Sequence, residues 1–345
     1  MSYSVFFMYS HRIIFKTSSN DEIFYLKDTI LINFGVNRNG ISTSKLNAGT
    51  NDTYKHVFNQ HLSQDKIDYL ENNNAYEYLC NECELLNIDY KLSTALITLA
   101  DMKNVSIVTK KFKNLEVTAI TTAGVRTNAS RAGDKASYWE DCGEFHFGTI
   151  NIILLTNAYL EKSALTEAFM TVTEAKTVAL NNLKIPSQYS NGFATGTGTD
   201  GVAIFSNKDS DNLLTNAGKH SKLGELIGKS VIESVTKAIE KQVWLSNKSQ
   251  SNALVRLNRY ALDINEFYDN LDYKFEFISK LRIDARNQKN VAIASSILNL
   301  FDEVQCNLIK KEDAFDLASQ IKEKCDSYPI KTLLEYWINY FIHKS

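Results

Sequence analysis

The stretch ATGTGTDG at residues 194–201 concentrates three glycines, three threonines and one aspartate in eight positions. Such a stretch has no side chains with which to build a core. It therefore reads as a loop that exposes backbone N–H groups, the hydroxyls of Thr195, Thr197 and Thr199, and the carboxylate of Asp200. Glycine at 196, 198 and 201 permits left-handed or closely approaching backbone, so amides and side chains can converge on one ligand. Downstream, Lys219 and His220 fall at the expected start of a long helix. Unpaired N–H groups and the positive end of the dipole there suit a developing negative charge, while a histidine packed against a sheet is the structural alternative. Lys176 lies inside an apolar helical stripe, which implies either a snorkelling stem or a carboxylate partner. Cys80 and Cys83 form a C-x-x-C pair, but no second pair sits at a useful distance for a metal or redox site, and two thiols on a helix near residues 73–86 account for it. Asp134, Glu174, Asp200 and His220 are the residue types of a mixed oxygen/nitrogen metal site, though in no compact motif. No cofactor is expected, and a divalent metal on those four remains the alternative.

The elements that position these groups follow from periodicity. Period-two alternation over residues 1–50 (Ile13, Phe15, Ile23, Tyr25, Ile30, Ile32, Phe34) predicts strands, beginning within MSYSVFFMYSHRIIFK. Residues 51–91 read as mostly helical at 65–86. A hairpin is expected within 94–124, with KKFKN as its turn, and GTINIILLTN at 148–157 as a central strand covered on both faces. Leu165, Ala168, Phe169, Val172, Ala175 and Ala179 predict a helix from about Glu161 to Leu183, stopped by Pro186. A second helix is expected from near Gly218 past Ile239, with Leu223, Ile227, Val231, Val235 and Ala238 inward. The predicted class is α+β: a mixed, largely antiparallel sheet from 23–34, 105–124, 148–157 and 201–206, with both long helices on one face. SNKSQSN at 246–252 reads as a linker between a first domain, 1–245, and an all-α domain of four helices, 246–345, a candidate for self-association. The site is expected where the 194–200 loop meets the start of the second long helix.

Composition narrows the function classes. A net charge of −2 over 345 residues gives no basic excess for nucleic acid. No apolar run approaches the ~20 residues of a membrane span, and the N-terminal patch lacks the features of a signal peptide. Five cysteines in a chain of this length fit a reducing compartment, so a cytoplasmic location is expected. A phosphate-binding loop of the G-x-x-x-x-G-K-[ST] kind is absent.

The blocks AGVRTNASRAGD (123–134), GTINIILLTNAYL (148–160), TEAKTVAL (173–180), ATGTGTDGVAI (194–204) and AGKHSKLGELIG (217–228) follow one another in fixed order. Together they resemble the adenosylcobinamide amidohydrolase family, CbiZ, clearly over 95–243 and not at all over 246–345. The resemblance implies hydrolysis of the amide joining the aminopropanol arm to the corrin ring of adenosylcobinamide. The products would be adenosylcobyric acid and 1-aminopropan-2-ol, in salvage of incomplete corrinoids. A corrinoid-binding or regulatory module without turnover is the alternative.

Amide hydrolysis needs a nucleophile, a held oxyanion and a proton for the leaving amine. Neither a G-x-S-x-G elbow nor an H-E-x-x-H pair is present to supply them. On this reading Asp200 or Glu174 is the base and His220 the acid. Gly196 and Gly198, with Asn151, hold the oxyanion, and Thr197 or Thr199 is an alternative nucleophile. Asp134 would orient Lys176 or a ligand amide, Asn157 would pair with a corrin side-chain amide, and Thr195 and Lys219 would complete the substrate contacts. Glu174 projects away from the buried stripe, which ranks it below Asp200 and His220.

Overall fold

A computed structural model describes residues 12–136, 149–260, 267–268 and 274–344. The first unit ends at Leu245 and the second begins at Ser246. The expected strand over the N-terminus is described only from Arg12, and Gly148 and residues 261–264 of two further expected elements lie outside the described residues.

In the first unit β1 (Arg12–Lys16), β2 (Glu22–Leu26), β3 (Thr29–Ser42) and β4 (Gly49–His61) run antiparallel, each to the next. β4 takes one edge of the 14-residue β3 throughout. The other edge is shared between β2 over Thr29–Asn33 and β12 (Gly201–Asn207) over Arg38–Ser42. Beyond β12 the order is β9 (Asn151–Thr156), β7 (Leu115–Thr122) and β6 (Ser106–Phe112), while β5 (Ser93–Thr98) lies outside β4. Among the described residues, β4–β5 and β12–β9 are the parallel pairs of this sheet, each joined by a helical crossover. α1 (Gln64–Asn72) and α2 (Ala75–Leu85) make the first crossover, α3 (Lys162–Asn182) the second. The sheet is therefore mixed and mostly antiparallel, as the periodicity predicts.

Irregular pairing between β3 and β4 around Asn33, Arg38 and Gly40 bends the sheet. The bend lays Ile23, Ile30, Ile32, Tyr54 and Val57 over Ile120, Ile153, Leu155, Ala203 and Phe205. The opposite face of β7, β9 and β12 packs on α3 and on α4 (Lys222–Val243) through Val117, Ile152, Leu154 and Ile204. β9 is buried at every residue because Ile152 and Leu154 face the helices while Ile153 and Leu155 face the folded-over strands. Both long helices cover one face, as predicted.

Four boundaries differ from the sequence reading. The helix expected at 65–86 is present as α1 and α2, but residues 51–61, given no element, are strand: Asn59 and Gln60 are polar yet buried in β4 and blur its pattern. β5 was not anticipated. The hairpin turn is Lys113–Asn114 alone, with Lys113 left-handed (φ 51), and Lys110–Phe112 belong to β6. α4 starts at Lys222, four residues later than expected, because Ser221 caps it: its Oγ accepts a hydrogen bond from Gly224 N at 2.9 Å. The C-x-x-C pair sits on α2, with Cys83 buried; Cys80, Cys83, Cys306 and Cys325 are all free thiols.

In the second unit the expected linker contains a helical turn, α5 (Asn247–Gln250). It is followed by α6 (Ala253–Leu257), α7 (Lys274–Asp284), α8 (Gln288–Gln305), α9 (Lys311–Lys322) and α10 (Tyr328–Lys344). These pack on an aromatic core of their own, in which Phe301, Trp337 and Phe341 stack and Tyr260 meets Trp337 edge-on. No helix among the described residues is long and apolar enough to cross a membrane.

Candidate active site

Asp200 precedes β12 and lies at the same end of the sheet as Asn151, the first residue of β9. Its carboxylate is nine-tenths buried and has three partners. Oδ1 accepts the Thr197 hydroxyl at 2.6 Å and the Thr197 N–H at 3.1 Å. Oδ2 accepts the Lys176 ammonium in a close ion pair. Lys176 comes from the inward face of α3 and is 7% exposed, so of the two sequence readings the carboxylate partner is the one the fold realises. A buried ammonium without a counter-charge would be costly, and Asp200 supplies that charge.

The loop that presents Thr197 is held on both sides. Gly196 and Thr197 (β11) pair antiparallel with Ala129 and Ser130 (β8). Thr197 Oγ1 also accepts from Thr149 N at 3.4 Å, and Asn128 Nδ2 donates to Thr149 Oγ1 at 2.6 Å. Thr195 Oγ1 accepts from Ala132 N at 2.9 Å, and the Thr195 carbonyl accepts from Thr177 Oγ1 at 3.1 Å. The loop glycines serve close approach and not left-handed turns. A Cβ at Gly196 would stand 2.2 Å from Asp200 Oδ2, and one at Gly201 would stand 2.4 Å from Asn151 Oδ1. At Gly198 a Cβ would meet nothing within 4 Å among the described residues.

Asn151 is locked from behind: its Nδ2 donates to Asn59 Oδ1 at 2.7 Å and to the Ile97 carbonyl at 3.1 Å. Asn59 Nδ2 in turn donates to Thr122 Oγ1 at 2.8 Å. This buried polar chain ties β4, β5, β7 and β9 together below the loop. Sequence reasoning missed Asn59, Asn128 and Thr149. The available signal was an asparagine on the same face as Val57 in a strand, but the sequence reading gives residues 51–61 no element.

The remaining candidates lie apart from this cluster. Asp134 accepts from Arg131 N at 2.7 Å and Ser187 Oγ at 2.5 Å, clasping two loops; it does not touch Lys176. Burial opposes ionisation of Asp134, but hydrogen bonds from Ser187, Ser190 and Arg131 outweigh it and hold the carboxyl below its ordinary range. A lowered carboxyl contributes stability that is present above the unfolded value of about 4 and lost as pH falls through the folded one. Asp134→Asn is therefore expected to lower the melting temperature at pH 7, with the gap to wild type closing as pH falls to about 3. Melting curves at constant ionic strength check this; a pH-independent gap would refute it.

Glu174 is on the outer face of α3 and pairs with Lys219 Nζ at 2.6 Å, an exposed bridge worth under ~1 kcal/mol. His220 is exposed, precedes the cap residue Ser221 and makes no hydrogen bond or ion pair among the described residues. Its expected place in the first turn of the helix, facing inward, is corrected: the turn Gly218–Ser221 carries it outside. That loop is tied to α3 instead, through Glu167 Oε2, which accepts from Ala217 N at 2.9 Å, and Thr171 Oγ1, which donates to the Ala217 carbonyl at 3.0 Å. The 194–200 loop thus closes on Lys176 of α3 and not on the start of α4. Asn157 lies past the other end of β9, where its side chain bonds Glu116 N at 2.8 Å and the Asn114 carbonyl at 2.7 Å. Among the described residues no three His, Cys, Asp or Glu side chains gather as metal ligands, so the four-residue metal set is not assembled.

A buried carboxylate bracketed by an ammonium and a hydroxyl, on a loop entering a central strand, is the candidate site of this α+β protein. The profile of the CbiZ family, adenosylcobinamide amidohydrolase, matches residues 14–247. The chain belongs to the adenosylcobinamide amidohydrolase family, whose named activity is that of a hydrolase. It is 35% identical over 229 residues to the uncharacterized protein MJ1613 of Methanocaldococcus jannaschii, covering 62% of this chain and 86% of that one. It is 31% identical over 158 residues to the adenosylcobinamide amidohydrolase of Methanosarcina mazei, covering 43% of this chain and 66% of that one. The crystal structure of the PH0078 protein from Pyrococcus horikoshii OT3 overlaps 67% of this chain and 84% of that one, with a TM-score of 0.32 and 12% identity.

Proposed function

We propose that the chain hydrolyses the amide between the corrin side chain and aminopropanol of adenosylcobinamide, releasing adenosylcobyric acid and 1-aminopropan-2-ol. The observation that carries the reading is the Lys176–Asp200–Thr197 cluster, which lies inside the family-matched span and requires the TGTD loop to be closed by a helix 24 residues away in sequence. In this reading residues 1–245 form the hydrolase domain and 246–345 a separate helical domain. The enzyme works in the cytoplasm on incomplete corrinoids recovered for reuse.

Asp200 is the proton acceptor, because its buried carboxylate faces a hydroxyl at 2.6 Å. Lys176 keeps that carboxylate in place against α3. The corrin ring is fringed with neutral amides, and the groups beside Thr197 that could meet them are hydroxyls and backbone, the chemistry such amides need. Glu174 and His220 receive no step here, since neither reaches Asp200.

The test is incubation of the full chain with adenosylcobinamide, followed by separation of the corrinoids and assay of free aminopropanol. A new carboxylate-bearing corrinoid with equimolar aminopropanol is expected. A spectral shift on binding, with no product over hours, would refute hydrolysis and point to the binding module.

A further inference from the structure

Resting on that reading, we propose that the hydrolysis is covalent and that Thr197 is its nucleophile. Both oxygens of Asp200 are occupied. Oδ2 is taken by Lys176, and Oδ1 by the hydroxyl of Thr197 at 2.6 Å. The hydroxyl aligned on Asp200 Oδ1 is that of Thr197, and its proton is the one the carboxylate is placed to accept. A TGTD turn closed by its aspartate would need only the Thr197 N–H bond at 3.1 Å. It would not need a lysine from α3 buried against the same carboxylate, which holds Oδ2 and leaves Oδ1 toward the Thr197 hydroxyl.

Thr197 is also a hydroxyl fixed in place. It is paired in β11–β8, β-branched and so limited in χ1, and next to Gly198, where a Cβ would meet nothing within 4 Å among the described residues.

The step balances as follows. Thr197 Oγ1 bonds to the amide carbonyl carbon while its proton passes to Asp200. The tetrahedral centre collapses with cleavage of the C–N bond, and Asp200 returns the proton to the departing amine of aminopropanol. The corrin side chain is left as an ester on Thr197. Water then attacks that ester and gives its proton to Asp200. The C–Oγ bond breaks, and Thr197 recovers a proton as the carboxylic acid leaves. One water is consumed and no other reactant is needed.

Hydroxylamine partitioning with adenosylcobinamide tests the proposal in the full chain. An ester intermediate is expected to divide between water and hydroxylamine, giving acid and hydroxamate in a ratio set by hydroxylamine concentration. Acid quench is expected to show the corrinoid acyl mass on the peptide containing Thr197. Thr197→Val, which keeps shape and loses the hydroxyl, should fall at least ~10³-fold in kcat. Thr197→Ser should keep measurable turnover and still form hydroxamate, which separates lost chemistry from lost folding. Acid as the sole product at every hydroxylamine concentration, with no adduct in the quench, would overturn the nucleophile even if Thr197→Val were slow. Wild-type protein that releases no aminopropanol at all would overturn the functional reading itself, and the nucleophile with it.

Discussion

Asp200→Asn is expected to lower turnover of adenosylcobinamide by ~10²–10⁴-fold, the range over which a positioned general base acts. The amide can still accept the Thr197 hydroxyl, so local geometry changes little, but it cannot take the proton. The same substitution leaves the Lys176 ammonium, 7% exposed, without its counter-charge. Removing one partner of a buried pair costs ~3–5 kcal/mol, so the urea midpoint should fall as well. The two effects separate in the double variant Lys176→Met with Asp200→Asn, where no buried charge is stranded. Stability should recover most of the loss while turnover stays at the single-variant level. Activity of Asp200→Asn within a few-fold of wild type, in protein shown to be folded, would remove Asp200 from the chemistry.

The second large effect is expected at Gly196→Ala, a change of one methyl group. The new Cβ would stand 2.2 Å from Asp200 Oδ2 and 2.9 Å from Lys176 Nζ, so the ion pair must part or the strand must move. Either displaces the carboxylate from Thr197, and misplacement of a reacting group by about 1 Å costs ~10²-fold in rate. The matched control is Gly228→Ala in the middle of α4, where a Cβ meets nothing within 4 Å. That variant should keep wild-type turnover and gain ~0.5–1 kcal/mol from the better helix former. Steady-state kinetics and melting curves on the two variants decide the matter. Equal activity in both would mean that the close packing at Gly196 is irrelevant to catalysis.

Much of the fold and part of the site could be read in the chain itself. The continuous apolar run of β9 and the three-and-four spacing of α3 and α4 are one-dimensional signals, because a helix or strand repeats its environment along its own axis. The density of glycine and threonine at 194–201 marked a loop for the same reason, and the lysine in the stripe of α3 left a snorkelling stem and a carboxylate partner as the two readings. Local sequence could not decide between them or reveal which carboxylate it would be. Lys176 meets Asp200 because α3 crosses from β9 to β12 and lies over the strand that the loop enters, a relation between elements that no spacing encodes. The same holds for Asn59, which joins Asn151 across the bend in the sheet, and for His220, which a cap at Ser221 turns outward. Residue types and periods determined the elements and the chemistry on offer. The fold decided which groups share a site, since contact depends on how the sheet bends and where helices cross it, and both are set by packing across the whole core.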